Sequence, residues 1–380
     1  MNIHPCYKLR NLILAAILTI GFASPVLAQQ HAFFVDLNSR AVTELETLAG
    51  HYILAYRMND AGQAVGWAQT AAGEERAFIT GPNGEGIRDI GTLGGDFSRA
   101  RGINDAGQVV GESNTGIGSS DGFITGPNGV GMRDLGTLGT SPALASAIND
   151  AGQVVGHISG PNHAFITGPD GMGMRSLGRL GGDDSVARGI NEAGQVVGYS
   201  NTTEAAYHAF ITGADGEGMR DLGTLGGMDS WASAINDAGQ VVGWSDTAAG
   251  TRHAFITGPD GTGMRDLGTL GGIDSYAFGI NNAGQVVGSS STPSGATHAF
   301  ITGPAGNDLV DLNSLVDLPD EVTLLEAVDI NNAGQVVAVA QVIPEPETYA
   351  MLLAGLGVIG FMTGRKKAAI PGRTVARLIV

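Results

Sequence analysis

The sequence predicts an all-β fold, a closed β-propeller of about seven four-stranded blades. One unit recurs seven times along the chain. The apolar runs of this unit are short and are separated by glycine, asparagine, aspartate and proline, and 61 of the 380 residues are glycine. The strand that the last unit lacks is present before the first unit, as expected for a ring that closes across the two termini.

The most regular part of the repeat reads Ile-Asn-Asp-Ala-Gly-Gln-Val-Val-Gly from residue 103. Successive copies start 42 to 50 residues apart, at Met58, Ile103, Ile148, Ile190, Ile235, Ile280 and Ile330. A period of roughly 40 to 50 residues is typical of propellers and of helical solenoids. No window has a sustained helical apolar period, so the local pattern favours strands.

The unit that starts at Met264 predicts four strands, at residues 264–270, 275–280, 285–289 and 298–302. The segment 281–284, Asn-Asn-Ala-Gly, predicts a tight turn, because asparagine and glycine tolerate positive φ. Four short antiparallel strands make up one propeller blade.

The two ends of the array predict closure of the ring. The last unit, residues 307–341, has three strands and lacks the His-Ala-Phe strand, whereas His31-Ala32-Phe33 precedes any complete unit. An N-terminal strand that completes the last blade would explain this displacement. A β-solenoid is the alternative, but it would instead need polar capping repeats.

The charge distribution excludes some partners. The chain has a formal net charge of −17, and residues 29–343 contain 13 arginines, no lysine and 35 acidic residues, a balance of −22. Such a domain repels nucleic acid, which is not expected as a partner. The acidity is interpreted as favouring solubility outside the cell. Binding of a cation or a cationic partner is the alternative. The single cysteine, Cys6, lies in a segment that we expect to be removed, so burial alone must hold the fold.

The N-terminus predicts a secretory signal peptide at residues 1–28. Lys8 and Arg10 precede an apolar run at 12–23, and cleavage is expected between Ala28 and Gln29. The apolar run is short for an uncleaved membrane anchor.

The C-terminus predicts a membrane segment behind a short motif. Pro344-Glu345-Pro346 precedes an apolar stretch at 348–364, which is just long enough for a transmembrane helix. The basic cluster Arg365, Lys366 and Lys367 follows and would stay in the cytoplasm. The repeat domain, residues 29–342, would then lie outside the inner membrane.

This order of Pro-Glu-Pro, apolar helix and basic cluster over residues 343–367 resembles the PEP-CTERM sorting signal. The resemblance implies processing by an exosortase in a Gram-negative bacterium that makes exopolysaccharide, followed by display at the cell surface or in the extracellular matrix. The tail at 368–380 departs from the pattern, because such signals usually end soon after the basic cluster.

The repeat resembles the HAF-family extracellular repeat, named for its His-Ala-Phe strand, which is altered at Arg76 and Asp121. The family histidines are His31, His163, His208, His253 and His298. A second motif, Asp-Leu-Gly-Thr-Leu-Gly-Gly, is intact from Asp221 and Asp266. The resemblance implies an extracellular repeat without a settled biochemical role. Because a ring would hold these histidines far apart, we expect a structural hydrogen bond in each blade rather than a metal site.

No cofactor and no metal is expected from the other glycine-rich segments. The Gly-Pro-Asp-Gly loops, such as residues 258–263, and the turns at Asp184, Asp229 and Asp274 each supply too few oxygens for a strong calcium prediction. They are interpreted as structural turns, and bound calcium stays open. No βαβ unit accompanies the glycine spacing, which excludes a dinucleotide fingerprint.

One position of the repeat varies while its surroundings do not. The residue after Val-Val-Gly is Trp67, Glu112, His157, Tyr199, Trp244 or Ser289 in the six copies that contain this tripeptide or its Ala-Val-Gly variant. Variation on a constant scaffold predicts a ligand-facing rim, in which Trp67, Tyr199 and Trp244 would stack on sugars. Variable solvent-exposed strand ends are the alternative, and no catalytic arrangement can be assigned.

We therefore expect a non-enzymatic binding or structural module of the exopolysaccharide or biofilm matrix. Its partners would be an exosortase, the inner membrane before processing, and extracellular polysaccharide. The alternative is a secreted polysaccharide lyase or hydrolase on a propeller scaffold, although near-identical blades disfavour an active site. A spacer that only carries the anchor is a third interpretation.

Overall fold

The computed structural model describes residues 29–343, except for residues 117, 140, 161 and 162. The predicted signal peptide at 1–28, the Pro-Glu-Pro motif at 344–346, the predicted transmembrane segment at 348–364 and the rest of the C-terminus lie outside the described residues. Across the described ranges the chain forms strands and short 3-10 turns, and it contains no helix that could span a membrane.

The described strands form seven sheets, numbered here as blades 1 to 7. The chain starts with β1 (Gln29–Asp36) and β2 (Ala41–Glu44). Blade 1 comprises β3 (Ala49–Met58), β4 (Ala64–Thr70), β5 (Glu75–Thr80) and β6 (Ile87–Asp89). Blade 2 comprises β7 (Gly94–Ile103), β8 (Val109–Thr115), β9 (Ser120–Ile124) and β10 (Arg133–Asp134). Blade 3 comprises β11 (Thr137–Leu138), β12 (Ser141–Ile148), β13 (Val154–Ile158), β14 (His163–Ile166) and β15 (Arg175–Ser176).

Blades 4 to 6 and the C-terminal half of blade 7 complete the ring. Blade 4 comprises β16 (Gly181–Ile190), β17 (Val196–Thr202), β18 (Tyr207–Ile211) and β19 (Arg220–Asp221). Blade 5 comprises β20 (Gly226–Ile235), β21 (Val241–Thr247), β22 (Arg252–Ile256) and β23 (Arg265–Asp266). Blade 6 comprises β24 (Ser275–Ile280), β25 (Val286–Ser291), β26 (Thr297–Ile301) and β27 (Val310–Asp311), and blade 7 contains β28 (Val322–Ile330) and β29 (Gln335–Val342). The 3-10 turns are Pro82–Gly84, Pro127–Gly129, Pro169–Gly171, Ala214–Gly216, Pro259–Gly261, Pro304–Gly306 and Leu312–Ser314.

The predicted seven-bladed ring is confirmed, and the termini close it. Blade 7 has the strand order β2-β1-β29-β28, so both ends of the propeller contribute to one sheet. The backbone N–H of Leu37 donates to the carbonyl of Gly334 at 3.1 Å, and the Asn38 side chain donates to the carbonyl of Ala333 at 2.9 Å. Two N-terminal strands complete the blade, whereas the sequence analysis expected one.

The predicted boundaries of the blades are wrong by one strand. The segment 264–270 was expected to begin a blade, but its paired part is β23, the outermost strand of blade 5, which pairs with β22. Each blade therefore starts at the strand before the Asn-Asp-Ala-Gly turn. A cyclic repeat has no intrinsic phase in its sequence, so the pattern of strands alone could not place the boundary.

The hydrophobic core lies between neighbouring blades. The six phenylalanines of the His-Ala-Phe position in blades 1 to 6 have no exposed surface: Phe78, Phe123, Phe165, Phe210, Phe255 and Phe300. Phe255 of blade 5 packs in one cluster with Ala209 and Ile211 of blade 4. At the closure, Phe34 of blade 7 joins Ile53 of blade 1 in the same way. Each blade thus depends on its neighbours for burial.

A continuous ring of asparagine side chains ties the blades together around the axis. In every blade, the residue directly after the inner strand is an asparagine whose side-chain N–H donates to the backbone carbonyl of the equivalent asparagine in the next blade, at 3.0 to 3.3 Å. We call this set the asparagine ring: Asn59, Asn104, Asn149, Asn191, Asn236, Asn281 and Asn331. The link from Asn331 back to Asn59 closes the circle.

Candidate binding site in the central channel

A β-bulge in each of blades 1 to 6 directs one inner-strand residue into the channel. The pairing between the inner and second strands skips one residue, three positions before the asparagine ring. A bulge re-aims the side chain of the extra residue. These six bulge residues all line one cavity: Tyr56, Arg101, Ser146, Arg188, Ser233 and Phe278.

The glycine of Val-Val-Gly makes this bulge possible. A Cβ atom on Gly243 would lie 1.9 Å from the carbonyl oxygen of Trp231 on the neighbouring inner strand. Only glycine allows that approach. Blade 7 has Ala338 at the corresponding position of its second strand.

The cavity has a volume of about 520 Å³ and receives residues from all seven blades, so it lies on the axis. This volume is in the range of small-molecule sites, roughly 300 to 1,000 Å³. Its ionisable side chains are those of Arg57, Arg101, Arg188, Glu112, Glu326 and His157. Tyr56, Trp231, Trp244 and Phe278 contribute aromatic rings. The repeated motifs form the blades, whereas the residues that line the cavity differ from one blade to the next.

The three arginines of the cavity have different surroundings. Arg101 forms an ion pair with Glu112 at 2.8 Å, and its guanidinium lies 4.7 Å from the centre of the Tyr56 ring. Arg57 reaches across the channel from blade 1 and donates to the carbonyl of Ser233 in blade 5, at 3.3 Å. Arg188 lies 5.7 Å from the centre of the Tyr199 ring, and it has no hydrogen bond or ion pair to any of the described residues.

Burial shifts the proton affinities of two other groups in the wall. Burial lowers the pKa of His157, and the charge of Arg188 lowers it further, so the imidazole is neutral near pH 7. Its Nδ1 is buried and has no hydrogen-bond partner within the described part of the chain. Burial of the Glu326 carboxyl raises its pKa. Both shifts reduce the charge that these two groups carry.

Aromatic rings of three neighbouring blades form a belt along one side of the cavity. We define the aromatic belt as Tyr207, Tyr199, Trp231, Trp244 and Tyr276. Trp231 stacks on Tyr199 with ring centres 3.8 Å apart and on Trp244 with ring centres 5.4 Å apart. Tyr207 meets Tyr199, and Tyr276 meets Trp244, edge to face at about 6 Å. Offset and edge-to-face contacts of this kind hold the rings in fixed orientations.

The structure places Trp67, Tyr199 and Trp244 on the second strands, where each is half-buried. Tyr199 and Trp244 are brought together through Trp231 in the aromatic belt. Trp67 lies apart from them in blade 1, where its indole N–H donates to the Tyr56 hydroxyl at 3.1 Å.

The sequence analysis missed the bulge residues and Arg57, Trp231 and Glu326. A signal was present, since the residue three before the asparagine changes from tyrosine to arginine, serine or phenylalanine between copies. The other variable position, after Val-Val-Gly on the second strand, predicted a rim of different residues.

A second ring of side chains encloses the channel beside the asparagine ring. Each member accepts a hydrogen bond from the backbone N–H of its counterpart in the preceding blade, at 2.8 to 3.2 Å. We call this set the acidic ring: Asp60, Asp105, Asp150, Glu192, Asp237, Asn282 and Asn332. Burial and the neighbouring carboxylates raise the pKa of Asp105 and of Glu192.

The structural interpretation of the family histidines is confirmed in four blades. The Nδ1 of His208 lies 2.7 Å from Asp221, the Nδ1 of His253 lies 2.7 Å from Asp266, and the equivalent distance from His298 to Asp311 is 2.6 Å. His31 pairs with Glu44 in blade 7. The two repeated motifs therefore meet in blades 4 and 5, because the acid thirteen positions later is the first residue of the Asp-Leu-Gly segment; Asp311 and Glu44 occupy the same position in blades 6 and 7.

Blades 1 to 3 depart from this pairing. Arg76 replaces the histidine in blade 1 and lies 4.0 Å from Asp89. Asp121 replaces it in blade 2 and accepts a hydrogen bond from Ser119 at 3.1 Å. In blade 3, Ser176 stands at the position of the acid, and the Nε2 of His163 has no partner among the described residues.

The aspartates of the glycine-rich loops take part in turns and hydrogen bonds. Asp170, Asp215 and Asp260 adopt φ values of 54° to 56°, a left-handed conformation that aspartate tolerates. Asp229 and Asp274 accept hydrogen bonds from backbone N–H groups at 2.9 Å. In the described part of the chain, no group of three or more histidine, cysteine or acidic residues is arranged to hold a metal ion.

Residues 342–367 match the PEP-CTERM protein-sorting motif. The predicted sorting signal is therefore confirmed as a motif. It implies a protein that is exported, anchored in the membrane, processed by an exosortase and sorted to the surface. No curated protein matches the sequence.

Solved structures with a similar fold include two peptidases. A prolyl endopeptidase matches with a TM-score of 0.52 and 11% identity, over 81% of this chain and 46% of its own. A puromycin-hydrolyzing peptidase from Mycobacterium tuberculosis matches with a TM-score of 0.50 and 12% identity, over 74% and 48%. This chain thus spans about half the length of either peptidase.

The β-propeller domain of the Trilobed protease from Pyrococcus furiosus also matches, with a TM-score of 0.49 and 12% identity, over 73% of this chain and 88% of that one. At such identities these likenesses concern the fold alone.

Proposed function

We propose that this protein is a non-enzymatic binding module of the exopolysaccharide or biofilm matrix, displayed at the cell surface after exosortase processing. The sorting motif supports the delivery. We also infer that the repeats belong to the HAF extracellular family, which the regular pairing of the two motifs supports. The observation that carries the binding role is the aromatic belt beside the channel cavity.

The aromatic belt supports a sugar-binding role because of its placement. Aromatic side chains are common contacts of the apolar faces of sugar rings, and Trp231 and Trp244 of the belt line the cavity together with Phe278. Stacking between neighbours fixes these rings before any ligand arrives, and such preorganisation lowers the entropic cost of binding. Polar groups that could fix the orientation of a ligand converge on the same cavity.

A polysaccharide lyase is the second candidate, and the composition of the cavity favours it over a hydrolase. Elimination from an acidic sugar needs a cation at the carboxylate and a base for the neighbouring proton. Arg101 and Arg188 could supply the first, and neutral His157 or Tyr56 the second. The likeness to peptidase structures does not bear on this alternative.

The test uses residues 29–343, which contain all strands of the seven blades. The purified domain is titrated with the producing strain's own extracellular polysaccharide in a co-sedimentation assay, and the polymer is analysed for chain length and unsaturated ends. We expect saturable binding to intact polymer. Binding should weaken in Trp244→Ala and persist in Tyr52→Ala, which removes an exposed tyrosine outside the aromatic belt.

Cleavage of the polymer, or absence of binding, would contradict the binding module. Shortened polymer with unsaturated ends, lost in His157→Ala, would replace the binding module with a lyase. Absence of both binding and cleavage would contradict a role in polysaccharide recognition.

A further inference from the structure

We propose that the channel cavity binds an anionic sugar residue of an acidic polysaccharide, and that Arg188 receives its carboxylate. The inference rests on the proposed binding function and names the ligand class and the residue that would select it. It is carried by the geometry of three guanidinium groups around one aromatic-walled cavity.

The cavity is a basic site within an acidic domain. Arg57, Arg101 and Arg188 bring three positive charges to it, and Glu112 balances one of them through its pair with Arg101. Glu326 also lines the cavity; desolvation raises the pKa of its carboxyl, but the residue is exposed to solvent, so the three arginines exceed the two acids of the wall by at least one charge. The acidic surface elsewhere acts weakly at this site, because physiological salt screens exposed charges beyond about 8 Å.

Arg188 is the cation that is free to bind a ligand. It projects from the bulge of blade 4 into the cavity, and its guanidinium carbon lies 5.7 Å from the centre of the Tyr199 ring. A contact with an aromatic ring uses none of the N–H donors of a guanidinium. Arg99, in comparison, lies over Trp67 but already pairs with Glu75. Guanidinium donors match a carboxylate in a bidentate geometry.

Arg57 defines the inner end of the cavity. Its side chain crosses the channel to Ser233, and both Arg57 and Arg188 also line the smaller cavity, of about 280 Å³, that the acidic ring surrounds. Carboxylates at that end disfavour the approach of an anion. An anionic ligand would therefore enter from the opposite end, where the aromatic belt lies.

The aromatic wall selects a sugar over a simple anion. Trp231, Trp244 and Phe278 line the cavity beside the arginines, so one ligand can pack its ring against this aromatic wall and pair its carboxylate at once. Sulfate or acetate would use only the charged half of this arrangement. A neutral sugar would use only the aromatic half.

The test is calorimetric titration of residues 29–343 with three probes: a glucuronate-containing tetrasaccharide, the same tetrasaccharide with its carboxyls reduced, and inorganic sulfate. The acidic tetrasaccharide should bind most tightly. Loss of hydrogen bonds to a charged partner predicts that Arg188→Met weakens this binding about ten- to a hundredfold. The carboxyl-reduced probe should bind wild type and Arg188→Met equally weakly.

Arg40→Met is the matched control. It removes one exposed arginine in the turn between β1 and β2, outside the cavity, and should change affinity by less than about twofold. Thermal melts of both variants separate a binding effect from a folding effect. Because Arg188 makes no hydrogen bond or ion pair to the described residues and its aromatic contact is with the Tyr199 ring, its removal should lower the melting temperature by no more than about 2 °C.

Three results would overturn the inference. Equal affinity for the acidic and carboxyl-reduced probes would remove the anionic selectivity. Sulfate binding as tight as that of the tetrasaccharide would leave an anion site only. Full affinity in Arg188→Met would place the site elsewhere. If the domain nevertheless sediments with native polysaccharide, the binding function stands and only this assignment of its ligand and site fails.

Discussion

Removal of one member of the asparagine ring should destabilise the whole propeller. The Asn236 side chain is 4% exposed and makes three hydrogen bonds: it donates to Gln240 Oε1 at 2.9 Å and to the Asn281 carbonyl at 3.1 Å, and it accepts from the Gln240 backbone N–H at 3.0 Å. Asn236→Ala removes all three.

The magnitude follows from these contacts. At about 1 kcal/mol for each net hydrogen bond, the free energy of unfolding should fall by about 3 kcal/mol. Unpaired groups left in the buried turn could raise the loss to about 5 kcal/mol. A loss of 3 kcal/mol corresponds to a fall of roughly 4 to 5 °C in melting temperature for a domain of this size.

The assay is urea denaturation of residues 29–343 followed by circular dichroism, with thermal melts in parallel. Asp237→Ala is the neighbouring control: its exposed carboxylate accepts two hydrogen bonds in the acidic ring but also repels its neighbours, so the change should stay within about 1 kcal/mol. Asn104→Ala should match Asn236→Ala, because the ring repeats. A loss below 1 kcal/mol in Asn236→Ala, or one equal to that of Asp237→Ala, would refute a stabilising ring.

Three further outcomes follow from the structure. Deletion of residues 29–46 removes β1 and β2 from blade 7. Size-exclusion chromatography should then show association or loss of the compact monomer. An unchanged monomer would contradict closure by these strands. Glu192, Asp105 and Glu326 have raised pKa values in the fold, so the folded state holds their protons more tightly, and stability should fall as pH rises from the ordinary carboxyl values of 3.8 to 4.5 through the raised ones. Urea midpoints measured upward from the ordinary values should show this slope, which Glu192→Gln should reduce, and an identical slope in that variant would be inconsistent with it. His253→Ala removes a partly exposed pair with Asp266 and should lower the free energy of unfolding by less than about 1 kcal/mol. A chelator should not change the melting temperature of the wild type. A chelator-dependent melting temperature in the wild type that is lost in the variant would indicate a metal site.

The fold was largely predictable because its determinants are local and repeated. Short strands, the Asn-Asp-Ala-Gly turn and the period of the repeat are all visible in sequence. The displaced His31-Ala32-Phe33 segment identified the closure, and the ring of seven blades followed from the count of repeats. The extent of the closure was less visible, because β2 has only four residues and no motif of its own.

The candidate site was less predictable, because a bulge decides which side chains face the channel. A strand with strict alternation would direct the residues at positions two and four before the asparagine to the same face. The bulge interrupts this alternation, so Tyr56, Arg101, Arg188 and Phe278 enter the cavity. Nothing in the sequence marks the bulge except the glycine opposite to it, such as Gly243, and that glycine also fits an ordinary strand end.

The measurement that tests the central claim most directly is a crystal structure of residues 29–343 with the glucuronate-containing tetrasaccharide. We predict a sugar ring against Trp231 and Trp244, with its carboxylate at the guanidinium of Arg188. A sugar bound on the outer strands or at the acidic ring, or an empty channel in crystals grown at a concentration that saturates binding in solution, would contradict the assignment of the channel cavity as the binding site.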